Sequence, residues 1–209
     1  MANKWNKKDT YVIERHPFGS LIFPGIKILI IGTFPTNRDN FRYEFFYSAK
    51  DNLFWKVLED IYKHTFLFDS GQSAVIERKD FLKKKNIGIT DMYEMCYRRN
   101  SYSTDENLFP IILTDIFKIL DNHNTIERII FTSRTEVFGA FGLFKTYLLQ
   151  RNQIIPEMIK FDNKILEGKL KYGDKEIKLF VPYSPSPRLI ANGRITGSEL
   201  VSMYKYCLT

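Results

Sequence analysis

The residues best equipped for chemistry lie in one stretch, Phe45-Phe46-Tyr47-Ser48-Ala49-Lys50-Asp51-Asn52-Leu53-Phe54-Trp55. It sets aromatic faces, a carboxamide, a carboxylate and a lysine just ahead of a segment with helical spacing. Aromatic rings stack on nucleobases, an amide bonds a base edge or positions a water, and a helix start attracts anions. The stretch follows an apolar run, Ile26 to Ile31, that ends in the turn Gly32-Thr33-Phe34-Pro35-Thr36. Together they predict a nucleobase pocket rather than a plain surface loop. More than one role is open for each key side chain. Tyr47 stacks on a base or packs beneath the loop, while Phe45 and Phe46 read as packing residues. Asn52 works on the ligand, caps the helix carrying Trp55, or does both. Its amide takes up no proton near neutrality, so it is not a general base. Asp51 bonds a purine N–H, assists a water, or only caps the helix.

These residues need a frame. The β-branched run Ile26 to Ile31 suits a strand covered on both faces, as in a parallel sheet. A helix is expected from Asp51 or Asn52 to about His64, and a second from about Ser73 to Lys85. Asn86 to Thr90 reads as a strand that opens into a long polar loop, Asp91 to Asn107. Leu108 to Leu120 reads as a helix, Arg128 to Phe131 as a strand, and Arg134 to Arg151 as a helix. Lys164 to Val181 reads as a hairpin around Gly173-Asp174. Tyr183-Ser184-Pro185-Ser186-Pro187 follows, and a last helix runs from about Ser198 to Cys207.

Strands alternating with helices predict an α/β protein. The expected form is a three-layer α/β/α sandwich around a central, mainly parallel sheet of roughly four to five strands. No repeat or linker divides the chain, so one domain over 1–209 is expected. Ligands of such sheets sit beyond the carboxyl ends of the strands. Asp91, Ser101 and Asp105 are therefore expected at one rim, where a carboxylate would stabilise developing positive charge.

The formal charge of +7 suits a polyanionic partner without demanding one. Cys96 and Cys207 match no metal spacing and read as free thiols, and His16, His64 and His123 are too scattered for a zinc site. The polar, lysine-rich N-terminus does not read as a signal peptide, and no apolar run approaches a membrane span. A cytoplasmic monomer with no membrane partner is expected.

Four segments carry a likeness to a known family: His16-Pro17-Phe18, the Gly32 to Thr36 turn, the loop ending Asn52-Leu53-Phe54-Trp55, and Ser184-Pro185-Ser186-Pro187. Gly88 through Asp91, with Cys96, Arg98, Ser101 and Asp105, joins them in order. The chain resembles the uracil-DNA glycosylase superfamily, closest to its hypoxanthine-DNA glycosylase and mismatch-specific uracil glycosylase branch. The resemblance implies a monofunctional DNA glycosylase that flips a deaminated base (hypoxanthine, xanthine or uracil) out of DNA. It would hydrolyse the N-glycosidic bond, leave an abasic site, and use no metal or organic cofactor.

Asn52 is then the catalytic residue, with Asp51 beside it, and Tyr47 is the stacking ring, worth roughly 1–3 kcal/mol. Thr33, Phe34, Pro35 and Ser184 would surround the base, with backbone N–H groups of the turn bonding its departing charge. Ser186, Arg188, Leu189 and Arg98 would contact DNA, Arg188 or Leu189 filling the vacated stack. Arg188 also reads as an exposed loop residue, and Arg99 and Arg134 are further candidate phosphate contacts. Phe34 stands where other branches carry a water-positioning acid or amide. Ser184 stands where the uracil enzymes carry a histidine, and Lys50-Asp51 replaces a more usual Pro-Gln or Pro-Ala pair. Two rival functions remain open: a non-catalytic nucleic-acid-binding protein on the same fold, and an α/β enzyme acting on small nucleotides. The latter has no GxxxxGK[ST] loop in its favour.

Overall fold

The computed structural model describes residues 8–162 and 164–209. The first residues of the lysine-rich N-terminus, 1–7, lie outside them. In chain order the first elements are β1 (Tyr11–Arg15), β2 (Ile28–Gly32), α1 (Phe54–Tyr62), α2 (Gly71–Lys84), β3 (Ile87–Asp91), β4 (Tyr93–Arg99) and β5 (Leu108–Leu113). Then come α3 (Ile116–Asn122), β6 (Arg128–Phe131), α4 (Ala140–Gln150), β7 (Met158–Phe161), β8 (Ile165–Tyr172), β9 (Lys175–Val181), α5 (Arg188–Ala191) and α6 (Gly197–Leu208).

The apolar run forms β2, and every residue of that strand is buried. β3, β2, β6 and β9 lie parallel in that order. β8 and then β7 extend the sheet antiparallel beyond β9. The sheet therefore has six strands rather than four to five. The strand not foreseen is β7, an edge strand whose residues are mostly exposed and carry no buried-face alternation.

Side chains of β2 alternate between two cores. Ile28 and Ile30 pack with Phe54, Leu58, Phe81 and Tyr204 from α1, α2 and α6. Leu29 and Ile31 pack with Ile116, Leu120, Phe144 and Tyr147 from α3 and α4. Burial on both faces is what a continuous apolar strand requires.

Three expectations are corrected. The stretch from Asp91 to Asn107 is not one loop, because β4 lies within it and forms a second, antiparallel sheet with β1 and β5. Its buried positions, Tyr93, Cys96 and Arg98, are too polar a set to read as a strand from hydrophobicity. The helix expected over Leu108 to Leu120 divides into β5 and α3. Pro110 is excluded from a helix interior, yet is tolerated in β5 because that strand is an edge. α3 starts only after Asp115, whose side chain accepts from the Lys118 N–H. α4 likewise begins at Ala140 rather than Arg134, since the preceding segment folds back on itself. A Cβ on Gly139 would lie 2.4 Å from Ser133 Oγ.

β1 and α5 had no expected counterpart, while β2, α1, α2, β3, β6, the β8–β9 hairpin and α6 fall close to their expected spans. α1 ends at the left-handed Lys63, α6 opens with a Thr196–Glu199 capping box, and Gly173 at φ 58° turns β8 into β9. No helix among the described residues is long and apolar enough to cross a membrane.

Candidate active site

Strand register assembles the rim. Gly32 pairs with Asp91 and Ile31 with Phe131, so Thr33, Asp91 and Thr132 emerge side by side at the carboxyl ends of β2, β3 and β6. A cleft of about 850 Å³ opens there, and the Tyr47–Asn52 loop and the Ser184–Arg188 segment also line it.

The cleft holds two carboxyl groups in unlike settings, Asp91 buried and Asp105 partly exposed. Asp105 Oδ2 accepts two hydroxyl hydrogen bonds, from Thr33 at 3.1 Å and Ser133 at 2.9 Å. That leaves Oδ1 as the oxygen available for proton exchange. Burial pushes this carboxyl up to about 6; the two hydroxyl donors oppose the rise, and the negative charges of Asp91 and Glu106 add to it. Asp91 is instead anchored. Its Oδ2 lies 2.9 Å from His16 Nε2, with both side chains only 6% exposed. His16 Nδ1 accepts the backbone N–H groups of Phe18 at 3.3 Å and Gly19 at 3.1 Å. The network thus assigns the ring proton to Nε2, which donates to Asp91. The rings of Phe18, Phe34 and Phe46 lie 5.3–5.5 Å from the imidazole and keep the pair dry.

Gly32 is required by this crowding. A Cβ there would sit 2.1 Å from Asp91 Oδ1 and 2.8 Å from the Tyr47 hydroxyl. The Tyr47 hydroxyl bonds Thr132 Oγ1 at 2.8 Å, and its ring stacks on Phe54 with centroids 4.1 Å apart. Those two contacts hold Tyr47 at φ 52°, a left-handed conformation that a tyrosine adopts only at a cost of roughly 1–3 kcal/mol. Burial first, and the Asp91 charge second, raise its phenol well above the ordinary tyrosine range, so it stays protonated. Phe54 occupies one face of the ring, and a base could use only the other.

Asn52 does cap α1. Its Oδ1 accepts the Phe54 N–H at 3.0 Å, which assigns the amide and leaves the NH₂ end without a partner among the described residues. That end is a donor suited to a carbonyl oxygen. Asp51 makes no capping bond; it is exposed and lines the cleft mouth. Leu53 N–H donates to the Pro185 carbonyl at 3.0 Å, tying this loop to the Ser-Pro-Ser-Pro segment.

No family model, curated protein or solved structure matches the chain.

Of the site residues expected from the sequence, the cleft gathers Thr33, Phe34, Pro35, Tyr47, Asp51, Asn52, Ser184, Ser186 and Arg188. Leu189 does not line it and packs against the α1, α2 and α6 core. Arg98 is corrected outright. It is 1% exposed, and its guanidinium bonds Glu14 at 2.9 Å and the carbonyls of Tyr102 and Pro35 at 2.7 Å each. It braces the turn after β2 from behind and presents no donor to a surface ligand. Arg99 bonds Asn107, and Arg134 lies over the Tyr183 ring at 3.9 Å while bonding the Val181 carbonyl. Ser101 is exposed on the loop and does not line the cleft.

His16 and the hydroxyls of Thr132 and Ser133 had no place in the site read from sequence. A lone histidine 75 residues from its aspartate carries no spacing signal. Among the described residues, no three His, Cys, Asp or Glu side chains converge as a metal site would need.

Proposed function

We propose that this chain is a monofunctional DNA glycosylase of the uracil-DNA glycosylase superfamily, nearest its hypoxanthine-DNA glycosylase branch. It hydrolyses the N-glycosidic bond of a deaminated base flipped from DNA and leaves an abasic site. In this reading the helices on either side of the sheet are the outer layers of a three-layer α/β/α sandwich.

One observation carries the reading. A single cleft pairs Asp105, whose Oδ2 takes both hydroxyl bonds and whose carboxyl desolvation raises to about 6, with a carboxylate anchored by a buried histidine, Asp91. Environments that separate two carboxyl groups in this way divide acid from electrostatic roles in glycosidic hydrolysis. A base held against Tyr47 and bonded by the Asn52 NH₂ leaves as the C1′–N bond breaks. Its electron pair goes to the base, and Asp105 Oδ1 delivers the proton to a base nitrogen. The positive charge that grows on the sugar faces Asp91. Water then adds at C1′, and the proton it loses passes to a carboxylate. Phe34 takes no part in placing that water, and the two aspartates supply the chemistry it lacks. Arg188, exposed at the cleft mouth, supports the DNA-facing side of the reading.

The test is incubation of purified protein with duplexes carrying hypoxanthine, xanthine or uracil, followed by alkaline cleavage of abasic sites. Scission on at least one substrate supports the proposal. No scission on any of them, with salt-sensitive DNA binding retained, leaves a non-catalytic binder. Turnover of free deoxynucleotides without action on DNA would point to a small-nucleotide enzyme.

A further inference from the structure

A second cavity of about 530 Å³ shares the Tyr47–Asn52 loop with the cleft but continues toward α1 and α2, where Trp55 and Arg78 line it. Two buried polar atoms in its lining residues have no partner among the described residues: Ser48 Oγ and Arg78 Nε. Buried polar atoms are rarely left so, and two in one wall call for a cause.

Arg78 sharpens the point. It is 6% exposed, and its guanidinium lies 4.4 Å from the Tyr43 ring and 4.6 Å from the Phe66 ring. Nη1 donates to the Phe68 and Ala74 carbonyls, so neither bond brings a balancing charge. The carboxylate beside it, Glu77, stands 3.8 Å away and already accepts the Leu67 and Phe68 N–H groups. Buried charges are normally paired at hydrogen-bonding distance. At the mouth, Arg42 and Lys50 make no ion pair among the described residues, Lys56 is held by Glu59 and Asp60, and Asp51 is the one carboxylate in the lining. Positive charge and unused donors therefore converge on one cavity.

We propose that this cavity is a phosphate subsite, with Arg42, Ser48 and Arg78 as its donors. Its ligand is a phosphate oxyanion, from either the DNA backbone beside the flipped nucleotide or free phosphate. The backbone form rests on the glycosylase reading; the phosphate chemistry does not.

Trp55 in the wall is a local reporter, and Trp5→Phe removes the other tryptophan. Inorganic phosphate titrated into that variant gives a saturable Trp55 fluorescence change that chloride at equal ionic strength does not. Adding Arg42→Ala weakens phosphate about tenfold, the share of one charge-assisted hydrogen bond. Ser48→Ala raises the melting temperature without phosphate, by removing an unsatisfied buried hydroxyl, and also weakens phosphate binding. No saturable response, or equal affinity in both variants, overturns the subsite and leaves the glycosylase proposal standing. Saturable binding in a protein that cleaves no damaged duplex does the reverse. One uncharged methylphosphonate linkage beside the target base then identifies the source. Backbone phosphate is the ligand if wild-type binding weakens and Arg42→Ala binding does not. A duplex held equally well with and without that charge assigns the site to free phosphate.

Discussion

Asp105 owes its proton affinity to how its two oxygens are used. Both hydroxyl donors fall on Oδ2, leaving Oδ1 to hold or release a proton in a desolvated, partly exposed setting. As a general acid it acts while protonated, and rising pH through about 6 empties that form. The single-turnover excision rate is therefore expected to fall roughly tenfold per pH unit above that value. Asp105→Asn should lower the rate by about 10²–10⁴ and abolish this limb. A profile that rises through the same range instead makes Asp105 a base and overturns its assignment. Asn52 needs a different separation, because its Oδ1 already serves α1. Asn52→Ser keeps a capping oxygen and removes the NH₂ donor. Excision should collapse while the melting temperature stays near wild type, since capping by serine and asparagine is nearly equivalent. Equal loss of both would reduce Asn52 to a cap.

At the scale of elements, the turn after β2 and the Tyr47–Asn52 loop meet over Gly32. Gly32→Ala puts a methyl where Asp91 Oδ1 and the Tyr47 hydroxyl approach. Both must move, which should destabilise the fold by about 1–3 kcal/mol and reduce excision by roughly a hundredfold. Stability lost at unchanged single-turnover rate would show that their placement does not matter to the reaction. The same elements explain what the sequence made legible. β2, α1, α2, α6 and the β8–β9 hairpin announce themselves through apolar periodicity, a turn pair and caps. The Tyr47–Asn52 loop does so through its side-chain chemistry. β4 stays hidden because Arg98 is buried for its hydrogen bonds, against every hydrophobic pattern. The Asp91–His16 contact stays hidden because it depends on β1 crossing beside β4, a long-range pairing with no local signature. Asp105 is readable as an acid near the rim, but its raised proton affinity comes from desolvation and from the negative charges of Asp91 and Glu106, which outweigh the hydroxyls of Thr33 and Ser133.

For the whole molecule, burying an ionisable acid at the carboxyl end of the sheet places function and stability in opposition. Asp105 has an ordinary value of 3.8 and a folded value of about 6, so the folded state binds the proton more tightly. Below pH 3.8 both states are protonated and the residue is neutral to stability. Between 3.8 and 6 the unfolded chain ionises first, and stability falls as pH rises. Above that range the full penalty applies, about 3 kcal/mol from roughly two pK units. Asp105→Asn keeps an acceptor for Thr33 and Ser133 but cannot ionise. Its melting temperature should exceed wild type by about 6–12 °C at pH 8, for a domain of this size. The gap should close progressively as pH falls from 6 to 4, because the other titrating groups are shared by both proteins and cancel. Thermal melts of the two proteins at half-unit pH steps check this. A gap of the same size at pH 4 and pH 8 would mean that Asp105 is not held above its ordinary value, and its role as an acid would fall with it.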